Sequence, residues 1–148
     1  MTPMAKKPQA RIGILLSGAG STFKNLLDRI DAGDVPGEVA VVLSDREAAK
    51  GLDYGRERGI PVVVVSRKAF RGLERYSHAL EEALRPYALD LLLNCGFLTI
   101  YKVPPDLVGR VLNVHPSLLP AFGGKGCYGH RVHEMVIEKQ VRYTGCTV

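Results

Sequence analysis

Apolar positions along this chain follow two alternating patterns. Residues 12–16, 39–43, 62–65, 89–95 and 111–115 are short, largely continuous apolar runs followed by turn or polar residues. Runs of that length read as strands buried on both faces. Between them, Phe23, Leu26, Leu27 and Ile30 recur at helical spacing and stop at Gly33, and Leu73, Tyr76, Leu80 and Leu84 repeat the pattern before Pro86. Leu52 and Tyr54 mark a further helical segment ending at Gly59. Pro104-Pro105 opens a short helix, and residues 129–138 form another. The apolar pattern over 142–148 predicts a last strand.

Strands alternating with helices predict the α/β class, with parallel βαβ units and an open sheet covered by helices on both faces. Ligands of such sheets bind outside the carboxyl ends of the strands, where the connections diverge. That rule nominates the loops at 17–22, 96–101 and 115–129. Residues 1–10, with Pro3, Lys6, Lys7, Pro8 and Gln9 and no periodicity, read as a flexible leader, and residues 11–148 read as one domain.

The 148 residues, 24% charged and 46% hydrophobic, suit one globular domain and disfavour disorder and coiled coil. No apolar run reaches the roughly 18 residues a membrane span needs. The polar N-terminus lacks signal-peptide features, and three cysteines make no disulfide framework, so a cytoplasmic setting without a membrane partner is expected. The net charge of +5 is scattered among acids, without a block of like charges. This pattern disfavours nucleic acid and suits small phosphorylated substrates steered by positive potential. A homo-oligomer is left open.

Three constellations could carry chemistry. S-G-A-G-S-T at 17–22 joins the first strand to the first helix. Its glycines permit close backbone approach, and a helix N-terminus offers unpaired N–H groups to an anion; a tight turn with Ser21 as an N-cap is the plain alternative. Phe23 stands where a dinucleotide fingerprint needs its third glycine. Asn113 and His115, two apart at the end of the fifth strand, share a face. An amide donor beside an imidazole suits oxyanion stabilisation and proton transfer, whereas a structural histidine and a turn asparagine would leave no chemistry. Cys127, His130, His133 and Glu134 could suggest a metal, but their spacing fits no metal motif and also suits an ordinary polar helix start. Cys95 and Cys146 lie in apolar strand contexts and are expected in the core.

The combined motifs are L-S-G-A-G-S-T at 16–22, C-G-F-L-T-I at 95–100, N-V-H-P-S-L-L-P-A-F at 113–122, G-H-R-V-H-E at 129–134 and Y-T-G-C-T-V at 143–148. Together they resemble those of the phosphoribosylglycinamide formyltransferases, folate-dependent enzymes of purine synthesis. The resemblance implies a Rossmann-like formyltransferase fold and transfer of a formyl group from 10-formyltetrahydrofolate to glycinamide ribonucleotide, without a metal. It implies that Gly20, Ser21 and Thr22 hold the substrate phosphate, with the Gly20 backbone close to the anion. Leu98, Thr99, Ile100 and Tyr101 would line the folate pocket largely through backbone groups, together with Asn113. Asn113 would donate to the developing oxyanion, and His115 would serve proton transfer.

The alternatives are another formyl-folate enzyme, namely a methionyl-tRNA formyltransferase or formyltetrahydrofolate deformylase fragment, or a non-catalytic nucleotide-binding module in which Asp45 reads a ribose. Pro116 stands where those relatives usually carry Ala or His. Ala19 and Thr22 replace frequent asparagines of the family's phosphate loop. Thr99 and Leu73 replace arginines associated with the folate tail, a role Arg71 or Arg75 could take over. The 122–129 stretch resembles a lid over the substrate. The resemblance also implies that the family's C-terminal part, including a catalytic aspartate, is missing, so impaired activity is expected of the 148-residue form.

Overall fold

A computed structural model describes residues 9–148. The leader expected at 1–10 therefore falls almost wholly outside the described residues, and Ala10 already opens the first strand. The elements run β1 (Ala10–Leu16), α1 (Ser21–Asp31), β2 (Gly37–Ser44), α2 (Gly51–Glu57), β3 (Val62–Val64), α3 (Leu73–Leu84), β4 (Leu91–Asn94), β5 (Val111–Asn113) and α4 (His130–Glu138). The short helix predicted at Pro104-Pro105 is a single 3-10 turn, Pro105–Leu107.

The five strands form one parallel sheet in the order β3-β2-β1-β4-β5. Central β1 is apolar on both faces, and the strand period of two sends its side chains alternately to two cores. Ile12, Ile14 and Leu16 join Phe23 and Leu27 of α1 and Leu52 of α2. Leu15 joins Tyr76, Leu80 and Leu84 of α3 on the opposite face. At Gly13 a Cβ would lie 2.4 Å from Leu89 Cδ1, so a larger residue there would displace the Leu89 side chain on the α3 side.

The chain winds from β1 outward through β2 to β3, then returns across β1 to β4 and β5. The loops after β1 and β4 diverge at this reversal, which leaves a crevice above the carboxyl ends of the strands. No helix among the described residues is long and apolar enough to cross a membrane.

The strand predicted over 142–148 does not form. That segment makes one isolated antiparallel bridge, in which His115 N–H donates to the Thr147 carbonyl at 2.8 Å and Thr147 N–H donates back to the His115 carbonyl at 2.9 Å. Thr147 Oγ1 also donates to the Ser117 carbonyl at 2.7 Å. The segment therefore docks on the loop after β5 rather than extending the sheet. Apolar pattern alone makes no strand where the neighbouring backbone is a loop instead of a ladder. For the same reason Cys146, expected in the core, is exposed, while Cys95 is buried.

Candidate active site

The loop after β1 is fixed before any ligand is considered. Ser17 is buried; its N–H donates to the Gly96 carbonyl at 3.1 Å and its Oγ accepts the Leu98 N–H at 2.9 Å. The Gly18 carbonyl accepts the Gly51 N–H at 2.9 Å, which ties the same loop to the start of α2. Gly20, with φ of 74°, lies against Gly51: a Cβ on Gly20 would stand 2.6 Å from Gly51 Cα. Only glycine combines that positive φ with that approach. Gly20 is thus demanded first by backbone packing, an account the sequence motif did not contain. Gly18 has open space where a Cβ would go, and Ser21 and Thr22 are exposed at the N-terminus of α1.

Residues 18–22 line one side of a cavity of about 460 Å³, and Leu98, Tyr128, His130 and His133 line much of the rest. The two histidine rings meet edge-on, with centroids 6.3 Å apart. Among the described residues, no group of three His, Cys, Asp or Glu side chains is arranged to hold a metal ion.

An adjoining cavity of about 710 Å³ contains Asn113 and His115 in its wall, with Leu98, Ile100, Lys125 and Cys127. The two cavities share Gly96, Leu98, Val114, Pro116, Tyr128 and Gly129, so the 18–22 loop and the polar pair open onto one crevice. β5 ends at Asn113, and the chain beyond it is braced. His115 Nε2 lies 2.9 Å from the Phe122 carbonyl, and Ser117 Oγ donates to the Ala121 carbonyl at 2.6 Å. A carbonyl only accepts, so Nε2 carries a proton in this contact and the neutral ring offers Nδ1 as its acceptor. Among the described residues no carboxylate is bonded to the His115 ring.

The 98–101 loop divides its side chains. Leu98 and Ile100 line the large cavity, whereas Thr99 Oγ1 donates to Asp45 Oδ2 at 2.6 Å and the Tyr101 hydroxyl donates to Asn94 Oδ1 at 3.0 Å. Burial raises the Tyr101 pKa above its ordinary value. The cations beside Thr99 are Arg46, Arg67 and Lys68, while Arg71 and Arg75 are exposed outside that cavity's wall. Sequence reasoning placed Ser17, Lys125 and Tyr128 within nominated loops without giving any of them an individual role, and it did not mark Gly51. Their roles come from contacts across the fold.

The fold is a parallel, doubly wound sheet of Rossmann type, with a glycine loop, an amide and an imidazole opening onto one crevice at the carboxyl ends of its strands. The chain matches the formyl transferase family over residues 10–148 and belongs to it. Within that family it is similar to phosphoribosylglycinamide formyltransferases. The chloroplastic protein of Arabidopsis thaliana is 37% identical over 143 residues, which cover 93% of this chain and 48% of that protein. The Haemophilus influenzae protein is 33% identical over 120 residues, covering 80% and 57%. The glycinamide ribonucleotide transformylase 1 structure from Symbiobacterium toebii superposes with a TM-score of 0.81 at 37% identity, covering 94% of this chain and 64% of that one. The Brucella melitensis phosphoribosylglycinamide formyltransferase superposes with a TM-score of 0.82 at 30% identity, covering 95% and 71%. The chain thus spans about half the length of these curated relatives.

Proposed function

We propose that this chain carries the formyl-transfer site of a phosphoribosylglycinamide formyltransferase and acts on glycinamide ribonucleotide with 10-formyltetrahydrofolate in the cytoplasm. The observation that carries the reading is the continuity of the crevice: residues 18–22 stand at one end and Asn113 with His115 at the other. A ribonucleotide amine and its phosphate need two such stations.

In this reading the backbone N–H groups at the start of α1, with the Ser21 and Thr22 hydroxyls, hold the phosphate. The folate occupies the larger cavity against Leu98 and Ile100 and supplies an activated one-carbon unit at the formyl level. The Asn113 amide donates to the carbonyl oxygen as negative charge grows there. As the amine nitrogen bonds to the formyl carbon, His115, held by its Nε2–H on the Phe122 carbonyl, takes up through Nδ1 the proton that the amine loses. It delivers that proton to the folate nitrogen as the bond from that nitrogen to the formyl carbon breaks and tetrahydrofolate leaves. The 122–129 stretch serves as the cover of both ligands, since Gly124, Lys125 and Tyr128 are already in the cavity wall.

The test is formyl transfer by the purified protein with glycinamide ribonucleotide and 10-formyltetrahydrofolate, followed by absorbance of the released tetrahydrofolate. Methionyl-tRNA and water serve as competing acceptors. Turnover with the ribonucleotide that falls in Asn113→Ala and His115→Ala supports the reading. Turnover only with methionyl-tRNA, or only hydrolysis, replaces it with one of the related formyl-folate activities.

A further inference from the structure

The loop that gives the crevice Leu98 and Ile100 is closed at its base by one side-chain bond, in which the Tyr101 hydroxyl donates to Asn94 Oδ1 at 3.0 Å. Asn94 is the last residue of β4, and its register partner is Asn113, the last residue of β5. Leu92, two before Asn94, and Val111, two before Asn113, both pack in the α3-side core. The strand period of two therefore sets Asn94 and Asn113 side by side on that face. Neighbouring strands run about 4.8 Å apart, which brings two amides within hydrogen-bond reach.

The hydrogen bonds of this pair are incomplete. Asn94 uses its oxygen on Tyr101, and its Nδ2 protons have no side-chain or backbone partner among the described residues. Asn113 is exposed in the wall of the larger cavity, and among the described residues its amide is bonded to nothing. An amide that is to meet a developing oxyanion must present Nδ2, because its oxygen would repel the same charge. The two ends are nearly equal in size, so packing alone does not choose between them. For Asn94 the choice is made by Tyr101: the phenol donates to the oxygen, which leaves the nitrogen as the end turned elsewhere. Burial raises the Tyr101 pKa, which keeps the phenol a donor, and the Phe97 ring meets it edge-on with centroids 5.7 Å apart.

We propose that Asn94 is a positioning residue for Asn113: its Nδ2 donates to Asn113 Oδ1 and so turns the Asn113 Nδ2 toward the formyl oxygen, while the Tyr101 hydroxyl fixes Asn94 in turn. The inference rests on the formyl-transfer reading for what Asn113 does, and on the register of β4 and β5 for which residue orients it. Tyr101 thereby links the loop behind Leu98 and Ile100 to the oxyanion donor. Ser77 provides an internal control. Its Oγ accepts the Lys102 N–H at 2.9 Å and donates to the Leu73 carbonyl at 2.8 Å, so it tethers the end of the same loop to α3 without bonding either amide.

The experiment measures steady-state formyl transfer from 10-formyltetrahydrofolate to glycinamide ribonucleotide in Asn94→Leu, Asn94→Asp, Tyr101→Phe and Ser77→Ala, each alone and combined with Asn113→Ala. Nuclear magnetic resonance of the Asn113 side-chain carbonyl carbon is recorded on the same proteins without substrate. Asn94→Asp keeps the acceptor for Tyr101 and removes the donors, so a residue that merely braces the loop tolerates it. Expected is a kcat about fivefold lower in Asn94→Asp and Asn94→Leu, and lowered less in Tyr101→Phe, with KM changed by less than about twofold. These losses should disappear in the Asn113→Ala background, since there is then no amide to orient. The Asn113 carbon should move upfield in both Asn94 variants, the sign of a lost hydrogen bond at its oxygen, and stay in place in Ser77→Ala. Ser77→Ala should instead raise KM for the folate, with or without Asn113. Wild-type kcat in Asn94→Asp overturns the proposal, as does a loss that persists in Asn113→Ala or an Asn113 carbon indifferent to Asn94. Absence of formyl transfer in the unaltered protein, with the Asn113 carbon still answering to Asn94→Asp, overturns the formyl-transfer reading and leaves the orienting bond established.

Discussion

Ser17 and Leu98 are 81 residues apart in sequence, yet the Ser17 hydroxyl accepts the Leu98 amide at 2.9 Å. The bond ties the 17–22 loop to the loop that lines the larger cavity, so the two halves of the crevice share a direct link. Ser17→Ala removes the acceptor and leaves the amide to find water. We expect a stability loss of about 1 kcal/mol in urea unfolding. Affinity for both the ribonucleotide and the folate should fall together, since both cavities contain Leu98. A change confined to one ligand would show the loops to be independent.

Gly20 and Gly18 separate packing from binding. Gly20→Ala places a Cβ 2.6 Å from Gly51 Cα at a φ of 74°, with an expected cost of about 2–4 kcal/mol from overpacking and left-handed strain. Gly18→Ala meets nothing within 4 Å and should shift stability by no more than about 0.5 kcal/mol. Gly18→Glu should fold equally well and repel phosphate. Thermal unfolding alongside ribonucleotide titration distinguishes the two positions; a stable Gly20→Ala protein would contradict the packing account.

Asn113→Ala and His115→Ala are each expected to lower formyl transfer by about a hundredfold or more, the scale of a lost oxyanion donor or proton acceptor. Asn113 is exposed at the end of β5, so its variant should keep wild-type stability. His115→Ala also frees the Phe122 carbonyl and should cost about 1 kcal/mol. With no carboxylate bonded to the imidazole among the described residues, turnover of the 148-residue protein should be low even at saturating ligand. Steady-state kinetics that separate kcat from KM check both statements; an unaltered kcat in Asn113→Ala removes the oxyanion role.

The three cysteines should differ in reactivity. Cys146 is exposed, Cys127 half-buried, and Cys95 buried with its thiol pushed up to about 11 by that burial. Alkylation at neutral pH, read by peptide mass spectrometry, should modify Cys146 first and Cys127 next. Cys95 should react only on unfolding. Ligand in the larger cavity should slow Cys127 alone, because Cys127 is part of that wall.

Alkaline pH should weaken the fold. Burial favours the protonated forms of Cys95, Tyr76 and Tyr101, so each pKa is higher in the folded chain than in the unfolded one. The unfolded Cys95 ionises from its ordinary value of 9.0, and the folded one from about 11. Its contribution is complete below pH 9 and declines as pH rises toward 11. Urea midpoints measured from pH 7 to 11 should fall above pH 9, and Cys95→Ser should flatten the first part of that fall. A constant midpoint would contradict the burial of these groups.

Period and punctuation alone determined the class of fold, because a strand buried on both faces must be apolar throughout and an amphipathic helix must repeat its apolar positions. The same local signals located the 17–22 turn and the Asn113 and His115 pair, whose chemistry is visible in residue type and spacing. Strand order could not be read locally, since β1 pairs with β4 only through contacts about 80 residues apart. Residues 142–148 carry a strand's apolar pattern, yet a strand exists only where a partner ladder accepts its hydrogen bonds, and here only Thr147 finds one. Gly20 looked like a ligand requirement until Gly51 was brought against it. The direction of Thr99 toward Asp45, rather than toward the crevice its neighbours line, was likewise decided by tertiary structure. Sequence sets what each residue can do; the packing of distant segments sets which partner it meets.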